Sequence, residues 1–171
     1  MSEAFQIRGG KKLHGEITPQ GAKNEAVQIL CAVLLTDEEV RIKNIPDIHD
    51  VNRLIEILGD FGVKITKNAH GDYTFKADQV NFDYIKSKEF KKDGAKLRGS
   101  IMILGPMLAR FGEAYMPTPG GDKIGRRRLD THFQGFVELG AEFHYDETEY
   151  FYTLKAKELR GKFILLEEAS V

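Results

Sequence analysis

An α/β (α+β) fold assembled from tandem units is what this sequence predicts, and three observations predict it. Short stretches with period-2 alternation and β-branched residues take turns with stretches whose apolar residues recur at helical spacing. Short segments at the corners of these elements recur further along the chain at a nearly constant offset. Of the 171 residues, 42% are apolar, enough for a sizeable core in one ordinary domain.

Taken in order, alternation predicts strands over 5–8 and 14–18. The run 22–35 has the continuous apolar content of a buried helix, and a strand follows over 40–43. Helical spacing predicts an amphipathic helix over 51–58, with Asp47 and Asp50 as caps or first-turn acids. Strands follow over 63–67 and 73–76. Residues 86–96 carry mixed charge and read as a solvated connection. A second apolar helix is expected over 97–109, then a glycine-rich loop, then a helix over 133–139 with Asp130 at its head. Strands over 142–145, 151–154 and 162–165 complete the series.

The repeats organise this list. Phe61-Gly62-Val63-Lys64-Ile65 reads like Leu139-Gly140-Ala141-Glu142-Phe143, 78 residues on, each closing a helix and opening a strand. Gly94-Ala95-Lys96 echoes Gly21-Ala22-Lys23, 73 residues on, at the head of an apolar helix. The shortfall between the two offsets fits a longer connection in the second copy, where the glycine-rich loop lies. Leu13-His14-Gly15-Glu16-Ile17 is matched by Leu159-Arg160-Gly161-Lys162-Phe163, 146 residues on. The expected organisation is one repeat over about 21–92, a second over about 93–160 and the start of a third over 161–171, which makes the chain a fragment.

Charge excludes some functions. With 25 basic and 26 acidic residues the net charge is −1, so no bulk attraction draws nucleic acid or an anionic membrane, and any anion site is local. The single cysteine, Cys31, lies in an apolar run and reads as a buried, inert thiol. No basic segment followed by an apolar stretch opens the chain, and no window reaches about 18 apolar residues, so a cytoplasmic protein is expected. None of the five histidines pairs with another His or with Cys at ligand spacing, and neither a P-loop, a dinucleotide fingerprint nor a nucleophile elbow is present. Neither metal nor cofactor is expected.

Two segments could carry chemistry. Gly21-Ala22-Lys23-Asn24 sets a lysine and an amide at a strand-to-helix turn, where free N–H groups and the macrodipole favour an anion. Lys23 as a solvated surface lysine and Asn24 as a local cap fit these four residues as well. Pro117-Thr118-Pro119-Gly120-Gly121-Asp122-Lys123-Ile124-Gly125-Arg126-Arg127-Arg128 joins a permissive loop to a carboxylic acid and a basic run. A surface loop with a solvated charge run is the competing reading. Arg98, on the first turn of an apolar helix, either faces solvent or joins Arg127 in gripping phosphate oxygens, for which a guanidinium fork is suited.

Taken together and in order, these segments resemble the enolpyruvyl transferases. The collinear set is Leu13-His14-Gly15-Glu16-Ile17 with Gly21-Ala22-Lys23-Asn24, then Leu97-Arg98-Gly99-Ser100, Leu104-Gly105-Pro106 and Ala109-Arg110-Phe111-Gly112, then Pro119-Gly120-Gly121-Asp122-Lys123-Ile124-Gly125 with Arg127 and Asp130. Ala22 and Asn24 favour the cell-wall branch of the family over the shikimate branch, which would show Gly-Ser-Lys-Ser at the first motif. The resemblance implies an inside-out α/β barrel built from tandem repeats, here truncated to about two, with the strands of 1–20 belonging to a second, mostly missing domain. It implies transfer of the enolpyruvyl group of phosphoenolpyruvate to the 3-hydroxyl of UDP-N-acetylglucosamine, the first committed step of peptidoglycan synthesis. By position, Lys23, Asn24 and Arg127 would bind phosphoenolpyruvate. Arg98, Arg127, Arg128, Leu129, Asp130, Thr131, Glu168, Ala169, Ser170 and Val171 would line the sugar-nucleotide site, Glu168 replacing a lysine common in the family.

Asp122 is the main departure, because most members carry cysteine there as the proton donor to the phosphoenolpyruvate methylene and the atom alkylated by fosfomycin. An aspartate donates a proton only while protonated, so its pKa would have to rise well above about 3.9, against the pull of Arg127. Fosfomycin insensitivity is therefore expected. Members of the family are also much longer, so the remainder of the polypeptide would be needed to complete the site and this chain would be inactive alone. Two rivals stand beside this reading: a shikimate 3-phosphate enolpyruvyl transferase relative, and a non-catalytic anion- or nucleotide-binding module.

Overall fold

In the computed structural model, which describes residues 4–118 and 129–166, the apolar run after Gly21 forms helix α1 (Lys23–Ala32), prolonged by a 3₁₀ turn (Val33–Leu35). Its buried positions, Ala26, Val27, Leu30 and Cys31, make a single stripe at helical spacing. Strand β1 (Glu39–Ile42) alternates half-buried Val40 and Ile42 with exposed Glu39 and Arg41. Helix α2 (His49–Asp60) buries Val51, Leu54, Ile57 and Leu58, and the hairpin of β2 (Lys64–Ala69) and β3 (Asp72–Lys76) closes the first unit. Two short helices, α3 (Phe82–Ile85) and α4 (Lys88–Gly94), lead to the second. There a 3₁₀ helix (Arg98–Ile103) runs into α5 (Leu104–Phe111), followed by β4 (Glu113–Pro117), α6 (Asp130–Glu138), β5 (Glu142–Asp146) and β6 (Phe151–Lys155). Pro106 is tolerated because it falls in the first turn of α5, where a backbone donor has no intrahelical acceptor to lose.

The two units are equivalent down to single bonds. Each holds a three-stranded antiparallel sheet with its last strand in the middle, ordered β1-β3-β2 and β4-β6-β5. Phe75 of β3 faces Val40 and Ile65, as Leu154 of β6 faces Ala114 and Phe143; both central residues are fully buried. At the corner after α2, Gly62 N–H bonds Gly59 O at 2.9 Å and Val63 N–H bonds Leu58 O at 3.0 Å. After α6, Gly140 and Ala141 bond Val137 O and Phe136 O at the same two distances. Gly62 and Gly140 have φ of +91° and +104°, a region that favours glycine. The chain leaves each unit alike: Asn81 N–H bonds Phe61 O at 2.8 Å, and Arg160 N–H bonds Leu139 O at 2.9 Å. One hydrophobic core, from Ala26 to Leu154, runs through both units.

Three sequence expectations need correction. Residues 5–8, 14–18 and 162–165, expected as strands, form neither strand nor helix, and Phe5, Ile7, Leu13, Ile17, Phe163 and Leu165 are exposed. Alternation supplies an apolar face, but a strand also needs a backbone partner, and no described strand pairs with these segments. Residues 86–96 are not merely a solvated connection. Ser87 Oγ accepts the Phe90 N–H at 3.2 Å, capping α4, and Phe90 is fully buried with its ring 4.9 Å from that of Phe61. Strand β4 was not anticipated at all. Four of its five residues, Ala114, Tyr115, Met116 and Pro117, are buried, so both faces are covered and no alternation marks it.

Candidate functional site

The head of α1 is set by a close approach that only glycine permits. A Cβ at Gly21 would lie 2.0 Å from the Asn44 carbonyl oxygen and 3.3 Å from Pro46 Cδ. With Gly21 seated there, Ala22 serves as N-cap without any side-chain acceptor, leaving the first-turn amides and the positive end of the macrodipole at the surface. Lys23 and Asn24 are exposed on this turn, and the Lys23 ammonium is ion-paired with Asp50 in the first turn of α2.

Arg98 opens the 3₁₀ helix of the second unit and is half-buried. Its neighbour Gly99 is pressed on α1, where a Cβ would lie 2.9 Å from Val27 Cγ1, one turn along from Lys23. The 3₁₀ turn after α1 packs on α5 in the same way, so segments 23–35 and 98–111 run side by side in one direction. Lys23, Asn24 and Arg98 therefore share the N-terminal end of this helix pair. Behind Arg98, the fully buried Ser100 Oγ sits 2.5 Å from Leu97 O, 3.1 Å from Gly94 O and 3.4 Å from Met116 Sδ. Strand β4 returns to the same end, where Pro117 packs beside Gly94. Thr118, its N–H 2.8 Å from Tyr150 O, is the last described residue before 119–128.

Asp122, Arg127 and Arg128 lie outside the described residues, as do Glu168, Ala169, Ser170 and Val171. Leu129 is the half-buried N-cap of α6, and Asp130 and Thr131 form its first turn; they are carried on a helix that packs on β5 rather than on α1. The sequence reading missed Arg53 and Asp93. Arg53, on α2, reaches Asp93 Oδ1 at 2.6 Å, and Asp93 also accepts from Lys96 at 2.9 Å. The Lys96 hydrogen bond, helped by the Arg53 charge, holds the Asp93 carboxyl below its ordinary range. This staple ties α2, one turn beyond Asp50, to the approach to Arg98; the Ser87-x-x-Phe90 cap was the available sign that 86–96 is built rather than loose.

Cys31 is buried, which pushes its thiol up to about 12 and leaves it without nucleophilic character. Among the described residues no cluster of His, Cys, Asp or Glu could hold a metal ion, and no helix is long and apolar enough to cross a membrane. A concavity of about 990 Å³, lined by Phe111, Glu113, Glu138, Lys155, Arg160 and Lys162, contains none of the expected site residues. It lies where β4 begins and α6 ends, opposite the Lys23 end. A much smaller hollow beside Gly21, Glu25 and Asn44 adjoins the head of α1. Chemically, the Lys23 end offers helix amides with no side-chain cap, an ammonium and a guanidinium on adjoining elements, a combination suited to an anion with several oxygens.

The family model described as EPSP synthase (3-phosphoshikimate 1-carboxyvinyltransferase) matches residues 7–170. A protein of Bacteroides thetaiotaomicron named UDP-N-acetylglucosamine 1-carboxyvinyltransferase is 55% identical over 98% of the chain, and namesakes in Bacteroides fragilis and Porphyromonas gingivalis are 56% and 53% identical over the same share. The chain spans about 39% of the length of each of these relatives. Among solved structures, the enolpyruvyl transferase NikO from Streptomyces tendae superposes with a TM-score of 0.70 at 21% identity, covering 89% of this chain and 32% of its own. An EPSP synthase from Acinetobacter baumannii gives 0.64 at 16% identity, over 91% of this chain and 35% of its own. These two share the mixed α/β fold.

Proposed function

We propose, from the premise that this chain belongs to the EPSP synthase (3-phosphoshikimate 1-carboxyvinyltransferase) family, that in a polypeptide of its relatives' length it transfers the enolpyruvyl group of phosphoenolpyruvate to the 3-hydroxyl of UDP-N-acetylglucosamine. The observation that carries the choice of acceptor is the 53–56% identity, over 98% of the chain, with proteins named for that acceptor. Ala22 and Asn24 in the first motif support the same choice.

In this reading the acceptor's 3-hydroxyl gives up its proton as its oxygen attacks C2 of phosphoenolpyruvate and a proton is added to the methylene carbon; the C2–O bond to phosphate then breaks, and loss of a proton from the new methyl group restores the double bond. Lys23, Asn24 and Arg127 hold phosphoenolpyruvate. Its charges suit the ammonium and helix amides at the head of α1, and phosphate binding would draw Lys23 away from Asp50. Arg98, Arg128, Leu129, Asp130, Thr131 and residues 168–171 line the sugar nucleotide. Asp122 is the proton donor, a role that requires its carboxyl to be protonated when phosphoenolpyruvate is bound. Repeats over 21–92 and 93–160, a third begun at 161, and a second domain that includes 1–20 make up the barrel. The chain alone is inactive because catalysis needs groups from both sides of the cleft. A place in peptidoglycan synthesis in the cytoplasm follows from the substrates.

The test is release of inorganic phosphate by a polypeptide of the relatives' length, given phosphoenolpyruvate with either UDP-N-acetylglucosamine or shikimate 3-phosphate. Turnover with the sugar nucleotide alone supports the proposal. Turnover with shikimate 3-phosphate alone reassigns the protein to the other branch, and binding of either acceptor without turnover supports a non-catalytic module.

A further inference from the structure

Basic residues in the last turn of a helix ordinarily face solvent or their own terminal carbonyls. Arg110, in the last turn of α5, does neither. Its Nη1 lies 3.1 Å from Leu34 O, 2.9 Å from Thr36 O and 2.9 Å from Ala77 O, so its two hydrogens are shared among three carbonyls of the other unit. Leu34 and Thr36 end the 3₁₀ extension of α1, and Ala77 follows β3. The guanidinium lies 4.8 Å from the centroid of the Phe111 ring and is half-buried. Carbonyls left over at a helix end need donors, and a charged donor makes the stronger bond.

We propose that Arg110 is a positioning residue that fixes the axial register of the two parallel helical segments. At their N-terminal end the Gly99–Val27 contact sets how closely the segments approach. At their C-terminal end Arg110 sets how far one has slid along the other. Arg98 and Arg110 are separated by about 20 Å of 3₁₀ and α-helix, so Arg110 touches no ligand held at the Lys23 end. It acts through two stiff rods, and the spacing of Lys23 and Asn24 from Arg98 follows from it.

Two measurements on a polypeptide of the relatives' length test this. Spin labels at Gln28→Cys and Ala109→Cys, exposed positions on one segment each, in the presence of the unreactive Cys31, report the distance between the segments whatever the protein's activity. Arg110→Met is expected to shift or broaden that distance and Arg110→Lys to restore most of it; an unchanged distribution in Arg110→Met overturns the proposal. The second measurement rests on the function proposed above. Arg110→Met is expected to lower kcat/KM by about 10- to 100-fold, with KM for both substrates raised and Arg110→Lys recovering most of the loss. Phe61→Leu, a core change in an aromatic cluster with Tyr84 and Phe90 that includes none of the joint's residues, is tuned by temperature to the same loss of Tm as a control. If its kcat/KM falls as far as that of Arg110→Met, the role is merely structural and the inference fails. Absence of turnover in the unmodified protein refutes the functional reading and leaves the distance measurement to decide for Arg110.

Discussion

Replacing Gly21 with alanine adds one methyl group at the tightest backbone approach to α1. The new Cβ would sit 2.0 Å from the Asn44 carbonyl oxygen. Neither partner is a flexible side chain, so the backbone of 21–23 or of 44–46 has to retreat by about 1 Å before the contact reaches even a tight separation. Overpacking of this kind costs about 1–3 kcal/mol, and for a chain of this size each kcal/mol lowers Tm by about 2–4 °C. A fall of about 2–12 °C is therefore expected in a thermal melt followed by circular dichroism. Gly161→Ala, where no atom lies within 4 Å of the added carbon, is the matched control and should leave Tm unchanged. Because Gly21 sets where α1 starts, the same substitution in a polypeptide of the relatives' length should weaken phosphoenolpyruvate binding more than sugar-nucleotide binding in the phosphate-release assay. A Gly21→Ala protein that melts with the control and keeps both KM values would refute the argument that this contact positions Lys23.

Other outcomes can be checked alongside. The bidentate Arg41–Asp72 pair holds the Asp72 carboxyl down at about 2, so its stabilisation is present above the unfolded value of about 3.9 and is lost as pH falls toward 2. The Tm gap between wild type and Asp72→Asn should thus narrow between pH 5 and pH 2; a gap that stays constant counts against the pair. Cys31 should react with an aromatic disulfide reagent at pH 8 only after guanidinium unfolding, and rapid labelling of the native chain would contradict its burial. The active polypeptide should resist fosfomycin and become sensitive on Asp122→Cys, since a carboxylate lacks thiolate nucleophilicity; time-dependent covalent inactivation of the natural protein would sink this.

The elements most legible in the sequence were those with one wet face. The α2 stripe of Val51, Leu54, Ile57 and Leu58 and the alternation in β1 could both be read directly, because solvent imposes the contrast. Where that contrast vanishes, so does the signal, as in β4, which is covered on both faces. The reverse error arose at 5–8 and 14–18, where alternation is plain but pairing is decided by a partner that local sequence cannot name. For the candidate site, Lys23, Asn24 and Arg98 could be singled out as residue types at helix heads. Their convergence could not, because it depends on Gly99 lying against Val27, a contact between residues more than seventy positions apart. The Arg53–Asp93–Lys96 staple was hidden for the same reason: a mixed-charge run looks identical whether its charges face water or each other.

The corners after α2 and α6 bear on how such a molecule comes into being. Each unit releases the chain through a backbone amide, at Asn81 in one and Arg160 in the other, bound to the carbonyl just before the corner glycine. Any residue except proline supplies that amide, so the coupling survives whatever side chain drifts into place. A gene segment encoding one unit can therefore be copied whole, arriving with its own fastening already built in. Gly62 and Gly140 agree because both hold a positive φ, whereas Asn81 and Arg160, which lend only a backbone amide, need share nothing.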